Sequence, residues 1–281
     1  MPQTPAPSNE PKPAGRSGDA PSSPVVIAGH SALEFLLTCV MLFGVTTICR
    51  WVIGPSFISQ HVHQIHLQLL FVGAVVGVLI AALILSRPGR TSGGHMNPAI
   101  SFTMWRLGVF PKASVVPYIV AQLMGSALGV FLASAVWGPP ATRPPAAYAL
   151  LQPGPGWTAA ELFAGEAASM AVIVYLVGFF LRIPRLAPLV PCLVGVLIGA
   201  AIPLLGTTTG GSINPARQFG PAVASGQLSF LWVYLLAPMA GALLAALALD
   251  RVNKHRTVLT HRLCGTKKDG APLKEPPENA G

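Results

Sequence analysis

Ser92-Gly-Gly-His-Met-Asn-Pro-Ala-Ile-Ser-Phe102 and Thr209-Gly-Gly-Ser-Ile-Asn-Pro-Ala-Arg-Gln-Phe219 align without gaps and are identical at six of eleven positions. In each, a Gly-Gly turn leads into Asn-Pro-Ala. Asn is a favoured helix N-cap and Pro a favoured first helical residue, so each stretch reads as extended chain turning into a helix. The apolar pieces that begin there, 97–106 and 214–225, are too short to cross a bilayer, which takes about 20 residues. They are expected to be re-entrant half-helices.

What surrounds them is long enough to cross. Of 281 residues, 52% are hydrophobic and only 10% charged, against about 25% charged in an average soluble domain. This balance excludes a soluble enzyme. Charge-free runs cover 66–86, 113–142, 186–216 and 218–249. Apolar length set against breakers predicts six spanning helices at 31–53, 66–86, 114–137, 159–181, 187–206 and 228–249. The fold class is an all-α membrane protein with six transmembrane helices and two re-entrant half-helices. Each half-helix falls in one set of three spans, and a three-span unit inserted twice must run in opposite senses, so the halves form an inverted repeat. Ala121-Gln-Leu-Met-Gly125 and Ala237-Pro-Met-Ala-Gly241 extend the likeness to the third span of each half. The expected organisation is a disordered tail over 1–30, a channel domain over 31–250 (repeats 31–137 and 158–250) and a basic tail over 251–281.

Charge sets the orientation. On this six-span plan, 15 of the 18 Lys and Arg residues fall on the side of the termini; Arg50 and Arg143 lie opposite, and Arg217 belongs to the second half-helix. The positive-inside rule then places both tails in the cytoplasm, and the plasma membrane is the expected location. The net charge of +9 is accounted for by topology and anionic lipid rather than by nucleic acid, which is not expected as a partner. Cys39, Cys49, Cys192 and Cys264 show no metal-ligand spacing and read as packing residues. No metal or cofactor is expected.

Two half-helix N-termini meeting at mid-membrane present unpaired N–H groups and a partial positive charge, which disfavours protons and cations. Asn97 and Asn214 can donate to a passing hydroxyl oxygen, and the Asn97-Pro98-Ala99 and Asn214-Pro215-Ala216 triplets mark a permeation path. Arg217, one helical turn past Asn214, points its donors at the same path or clamps the loop through backbone carbonyls. Glu34 and Glu166 are matching acids in otherwise neutral spans and read as acceptors for the backbone N–H groups of the two re-entrant loops. His95 is a candidate for the pore wall or for capping and packing.

These motifs, together with Gly220-Pro221, resemble the aquaporin superfamily of major intrinsic proteins over about 31–249. The resemblance implies a homotetramer in the lipid bilayer, one pore per subunit, no cofactor, and passive permeation of water or small neutral solutes. It also implies a constriction formed by Val76 (or its neighbour Gly77), Ile202, Gly211 and Arg217. Water-selective members carry an aromatic residue and a His at the first two positions. The aliphatic, aliphatic, Gly, Arg set here is similar to the plant nodulin-like branch, which conducts glycerol and neutral metalloid acids such as boric and arsenous acid. Trp232-Val-Tyr-Leu-Leu-Ala-Pro238 is similar to that branch too, whereas Ala222 departs from glycerol facilitators, which usually have a basic residue there. The expected function is a channel for small uncharged solutes and water. A water-selective pore is the alternative within the class, and a secondary transporter the alternative outside it. No nucleophile and base can be assembled, so an enzyme is not expected.

Overall fold

The computed structural model describes residues 23–252, 257–267, 271 and 273. Its helices are α1 (Pro24–Val52), α2 (Phe57–His61), α3 (Ile65–Leu85), α4 (Arg87–Ser92), α5 (Pro98–Arg106), α6 (Lys112–Trp137), α7 (Pro139–Thr142), α8 (Ala159–Phe180), α9 (Val190–Leu205), α10 (Pro215–Ser225) and α11 (Leu231–Val252). Among the described residues six helices, α1, α3, α6, α8, α9 and α11, are long and apolar enough to span a membrane. The short helices α5 and α10 lie between spans, as the two Asn-Pro-Ala segments require.

The spans pair as α1 with α6, α3 with α9, and α8 with α11. Lipid is as apolar as a Leu side chain, so hydrophobicity does little to drive helices together, and close backbone approach at small residues does the work. A Cβ on Gly125 of α6 would lie 2.3 Å from the Phe35 carbonyl oxygen of α1, and one on Gly241 of α11 would lie 2.0 Å from that of Ala167 in α8. On α3, Gly77 faces the Gly195 carbonyl of α9 at 2.4 Å by the same measure. No other residue fits at these crossings. Exposed apolar side chains such as Val78, Val116, Phe131 and Leu204 form the outer faces presented to lipid.

The chain ends depart from the apolar-run reading. Residues 24–30, expected in the tail, are the first two turns of α1. Pro24 occupies the first turn, where its missing N–H costs nothing, and the Ser23 hydroxyl accepts from the Val26 N–H at 3.4 Å. Part of the segment expected as a basic tail, 257–267, packs under the helix bundle. Val258, Leu263 and Cys264 are only 5%, 1% and 5% exposed. They interrupt the charges with apolar side chains, and these are buried beneath the helix bundle. The expected tail residues 1–22, 253–256, 268–270, 272 and 274–281 lie outside the described residues.

Candidate pore and its supporting shell

The two Asn-Pro-Ala segments hold each other. The Asn97 Oδ1 accepts the Ala99 N–H at 2.9 Å and the Asn214 Oδ1 accepts the Ala216 N–H at 2.9 Å, so each Asn caps its own half-helix. The Nδ2 groups cross over: Asn97 donates to the Ile213 carbonyl at 3.1 Å and Asn214 to the Met96 carbonyl at 2.9 Å. An amide nitrogen has two protons, so one donor of each Asn is fixed by the opposite loop and the other is left for the path. The residues before the two Asn, Met96 and Ile213, are held at φ of 47° and 54°. That conformation is unfavourable for side chains of this size and persists only where the surroundings enforce it.

The enforcing groups are buried carboxylates. Glu34 accepts from the Ser92 hydroxyl at 2.6 Å, the backbone N–H groups of His95 and Met96 at 3.0 and 2.7 Å, and the Gln122 amide at 2.9 Å. Glu166 accepts from the N–H groups of Ser212 and Ile213 at 3.1 and 2.7 Å. Two tyrosines complete the shell. Tyr118 donates to the Ser92 carbonyl and Tyr234 to that of Thr209, both at 2.7 Å. Counting back three residues from the aligned Ala121 and Ala237 would have paired these tyrosines from the sequence.

Two cavities flank the Asn pair and share Met41, Ile80, Ile198 and Asn214 as walls, so they are consecutive chambers of one path. The chamber away from the termini has a volume of 120 Å³ and is lined by Val76, Ile202, Gly211 and Arg217 among others. One water needs about 10–15 Å³ measured this way. The chamber therefore has room for a file of waters or a three-carbon polyol. Gly77 does not line it, because it is spent on the α3–α9 crossing. The second chamber, on the side of the termini, measures 40 Å³ and is lined by His95, Asn97, Ile100 and Leu263 among others.

Residues 24–249 match the major intrinsic protein family. The chain belongs to that family. It is thus a multi-pass membrane channel for water and small solutes, and not an enzyme. It is 37% identical over 193 residues to the probable aquaporin AqpM of Archaeoglobus fulgidus, a match covering 62% of this chain and 73% of that protein. With the probable aquaporin NIP5-1 of Arabidopsis thaliana it shares 31% identity over 246 residues, 85% of this chain and 74% of the relative. In fold it is similar to the solved aquaglyceroporin of Plasmodium falciparum, with a TM-score of 0.62 at 20% identity over 80% of this chain and 96% of that one.

Within this major intrinsic protein fold, Arg217 is tied back as well as aimed at the path. Its Nη1 donates to the Ala149 carbonyl at 2.7 Å, and the next residue, Gln218, exchanges bonds with Leu151 at 2.8 and 3.2 Å. The connection between α7 and α8 thus roofs the larger chamber. Its carbonyls are site components that sequence reading missed, since nothing in Ala149 or Leu151 as residue types marks them. His95 is 3% exposed. Its Nε2 lies 2.9 Å from the His261 carbonyl, which can only accept, so Nε2 carries a proton there; its Nδ1 lies 3.0 Å from the Ser101 hydroxyl.

Proposed function

We propose that this channel passes small uncharged solutes, glycerol-like polyols or neutral metalloid hydroxides such as boric or arsenous acid, together with water, and excludes protons and ions. The observation that carries the reading is the larger chamber, where Val76, Ile202 and Gly211 face Arg217 across 120 Å³. An apolar wall with no bulky side chain admits a carbon skeleton, while the guanidinium opposite it binds hydroxyl oxygens and repels cations. The crossed Asn amides and the two half-helix N-termini add positive potential at the midpoint, against protons. In this reading Asn97, Pro98, Ala99, Asn214, Pro215 and Ala216 form the central barrier to charge, and Val76, Ile202, Gly211 and Arg217 select the solute. Glu34 and Glu166 are loop scaffold and His95 belongs to the pore wall. The similarity to the Arabidopsis probable aquaporin NIP5-1 over most of the chain agrees with the nodulin-like pattern of the selecting residues. The protein works as a homotetramer in the plasma membrane with both termini in the cytoplasm.

Stopped-flow light scattering on proteoliposomes tests this. Glycerol and boric acid should enter several-fold faster than into empty liposomes. Ile202→His, which adds a ring to the wall, should lower solute entry at least fivefold while leaving water flux within twofold. Fast water flux with solute entry equal to that of empty liposomes would make the protein a water-selective pore and overturn the proposal.

A further inference from the structure

We infer that residues 257–267 form a built-in cap on the terminus-side mouth of the pore and that Leu263 is a flux-limiting residue of the path. Residues 257–267 lie beneath the bundle and are tied to both halves of the molecule. The Leu259 N–H donates to the Leu181 carbonyl at 3.2 Å, at the end of α8. The Leu263 N–H donates to the Gly93 carbonyl at 3.0 Å, in the turn leading into the first Asn-Pro-Ala. The His261 carbonyl accepts a hydrogen bond from the His95 Nε2–H at 2.9 Å. The cap therefore rests directly on the loop that carries Asn97.

Its seat is shaped for it. Gly265 stands at φ +68°, and a Cβ there would lie 2.3 Å from the Ala187 carbonyl oxygen, so only glycine passes this point. The seated segment buries Leu263 to 1% exposure, and Leu263 lines the 40 Å³ chamber along with His95, Asn97 and Asn214. A branched aliphatic side chain from the tail is thus part of the wall of the conduction path, in the chamber that has a third of the volume of its neighbour. The side chain offers no hydrogen bond to a solute hydroxyl or to water, so it both narrows the chamber and dries its wall. The bonds from Leu259 and Leu263 and the burial of Val258, Leu263 and Cys264 seat the cap, and a segment docked on a bundle can open locally without unfolding it. Seated, the cap limits flow; displaced, it widens the exit.

Water permeability per reconstituted channel tests this, because water is a readout that does not depend on which solute the pore selects. Full-length Leu263→Ala removes the obstructing side chain and leaves the cap in place, while Gly265→Val prevents the cap from seating. Both should raise water flux at least threefold over the wild type, compared on monodisperse protein. Cys264, 5% exposed in the seated cap, reports position. In a Cys192→Ser background a bulky water-soluble maleimide should react with it slowly in the wild type and at least tenfold faster in Gly265→Val. Flux no higher than wild type in both variants overturns the proposal. So does equal labelling of Cys264 in wild type and Gly265→Val, which would mean that the cap is not seated to begin with.

Discussion

The two halves of the channel perform one geometric task with different chemistry. In both, a buried Glu takes the two N–H groups before an Asn-Pro-Ala, a Tyr hydroxyl takes a loop carbonyl at 2.7 Å, and the residue before the Asn is held at positive φ. Beyond this shared frame they diverge. The hydroxyls of Ser92 and of its counterpart Thr209 bond Glu34 and Glu166 alike, but in the first half Gln122 of α6 adds a further donor to Glu34, and Ser126 donates to the Ala216 carbonyl and accepts from the Gly220 N–H. Counting on from the aligned Ala121 and Ala237, the positions in α11 that match Gln122 and Ser126 are Pro238 and Ala242, neither of which has a polar side chain. Both halves are held by polar bonds, but Glu34 has one donor more than Glu166, and Ser126 of the first half reaches across to hold the half-helix of the second. What the repeat preserves is the pair of helix ends that face the path. The side chains behind them are free to differ, and they set what covers each mouth.

Removing the acids should give the largest effects and the sharpest contrast. Glu34→Ala orphans four donors, and each buried donor left unpaired costs about 1–3 kcal/mol. The variant should give no monodisperse peak in size-exclusion chromatography. Glu166→Ala orphans three, the N–H groups of Ser212 and Ile213 and the Thr209 hydroxyl. It should be recovered folded, with a lowered temperature of loss of the monodisperse peak. If Glu166→Ala proves as damaging as Glu34→Ala, the extra Gln122 bond in the first half does not set the two halves apart.

The glycine crossings come next. Gly241→Ala and Gly125→Ala each push a methyl group at a backbone carbonyl, 2.0 and 2.3 Å away before relaxation. Overpacking of this sort costs about 1–3 kcal/mol. Both variants should lose thermal stability by the same assay, Gly241→Ala more, because its approach is closer.

The smallest effect should come from the tyrosines. Tyr118→Phe and Tyr234→Phe each delete one hydroxyl bond to a loop carbonyl, worth about 1 kcal/mol. Their stability losses should be equal within error. A clear inequality would show that this part of the frame is not equivalent in the two halves.

Much of this was legible before any coordinates. Apolar length gave six spans, and two apolar pieces too short to cross gave two half-helices. The structure has six membrane-capable helices with α5 and α10 between them. Glu34 and Glu166 could be paired with the re-entrant loops because an acid in a neutral span needs donors, and unpaired loop N–H groups at membrane depth need acceptors. The start of α1 was misplaced by seven residues, because a Pro and a Ser that read as tail composition act as a first-turn residue and a cap. The choice between Val76 and Gly77 could not be made from alignment across the connection at 87–91. In the structure Val76 lines the larger chamber while Gly77 packs against Gly195.

The sequence by itself determined the inverted six-span plan, the pair of Asn-capped half-helices and the acids behind them. These follow from local patterns, namely apolar run length, capping residues and an internal repeat whose symmetry carries each local reading into the other half. Only the tertiary structure decided what closes the two chambers. The bond from Arg217 to the Ala149 carbonyl joins residues 68 apart, and that from His95 to the His261 carbonyl joins residues 166 apart. Each uses a backbone oxygen that every residue type possesses. No side-chain pattern encodes which carbonyl comes to rest there, because that depends on where the packed helices leave the chain free to return.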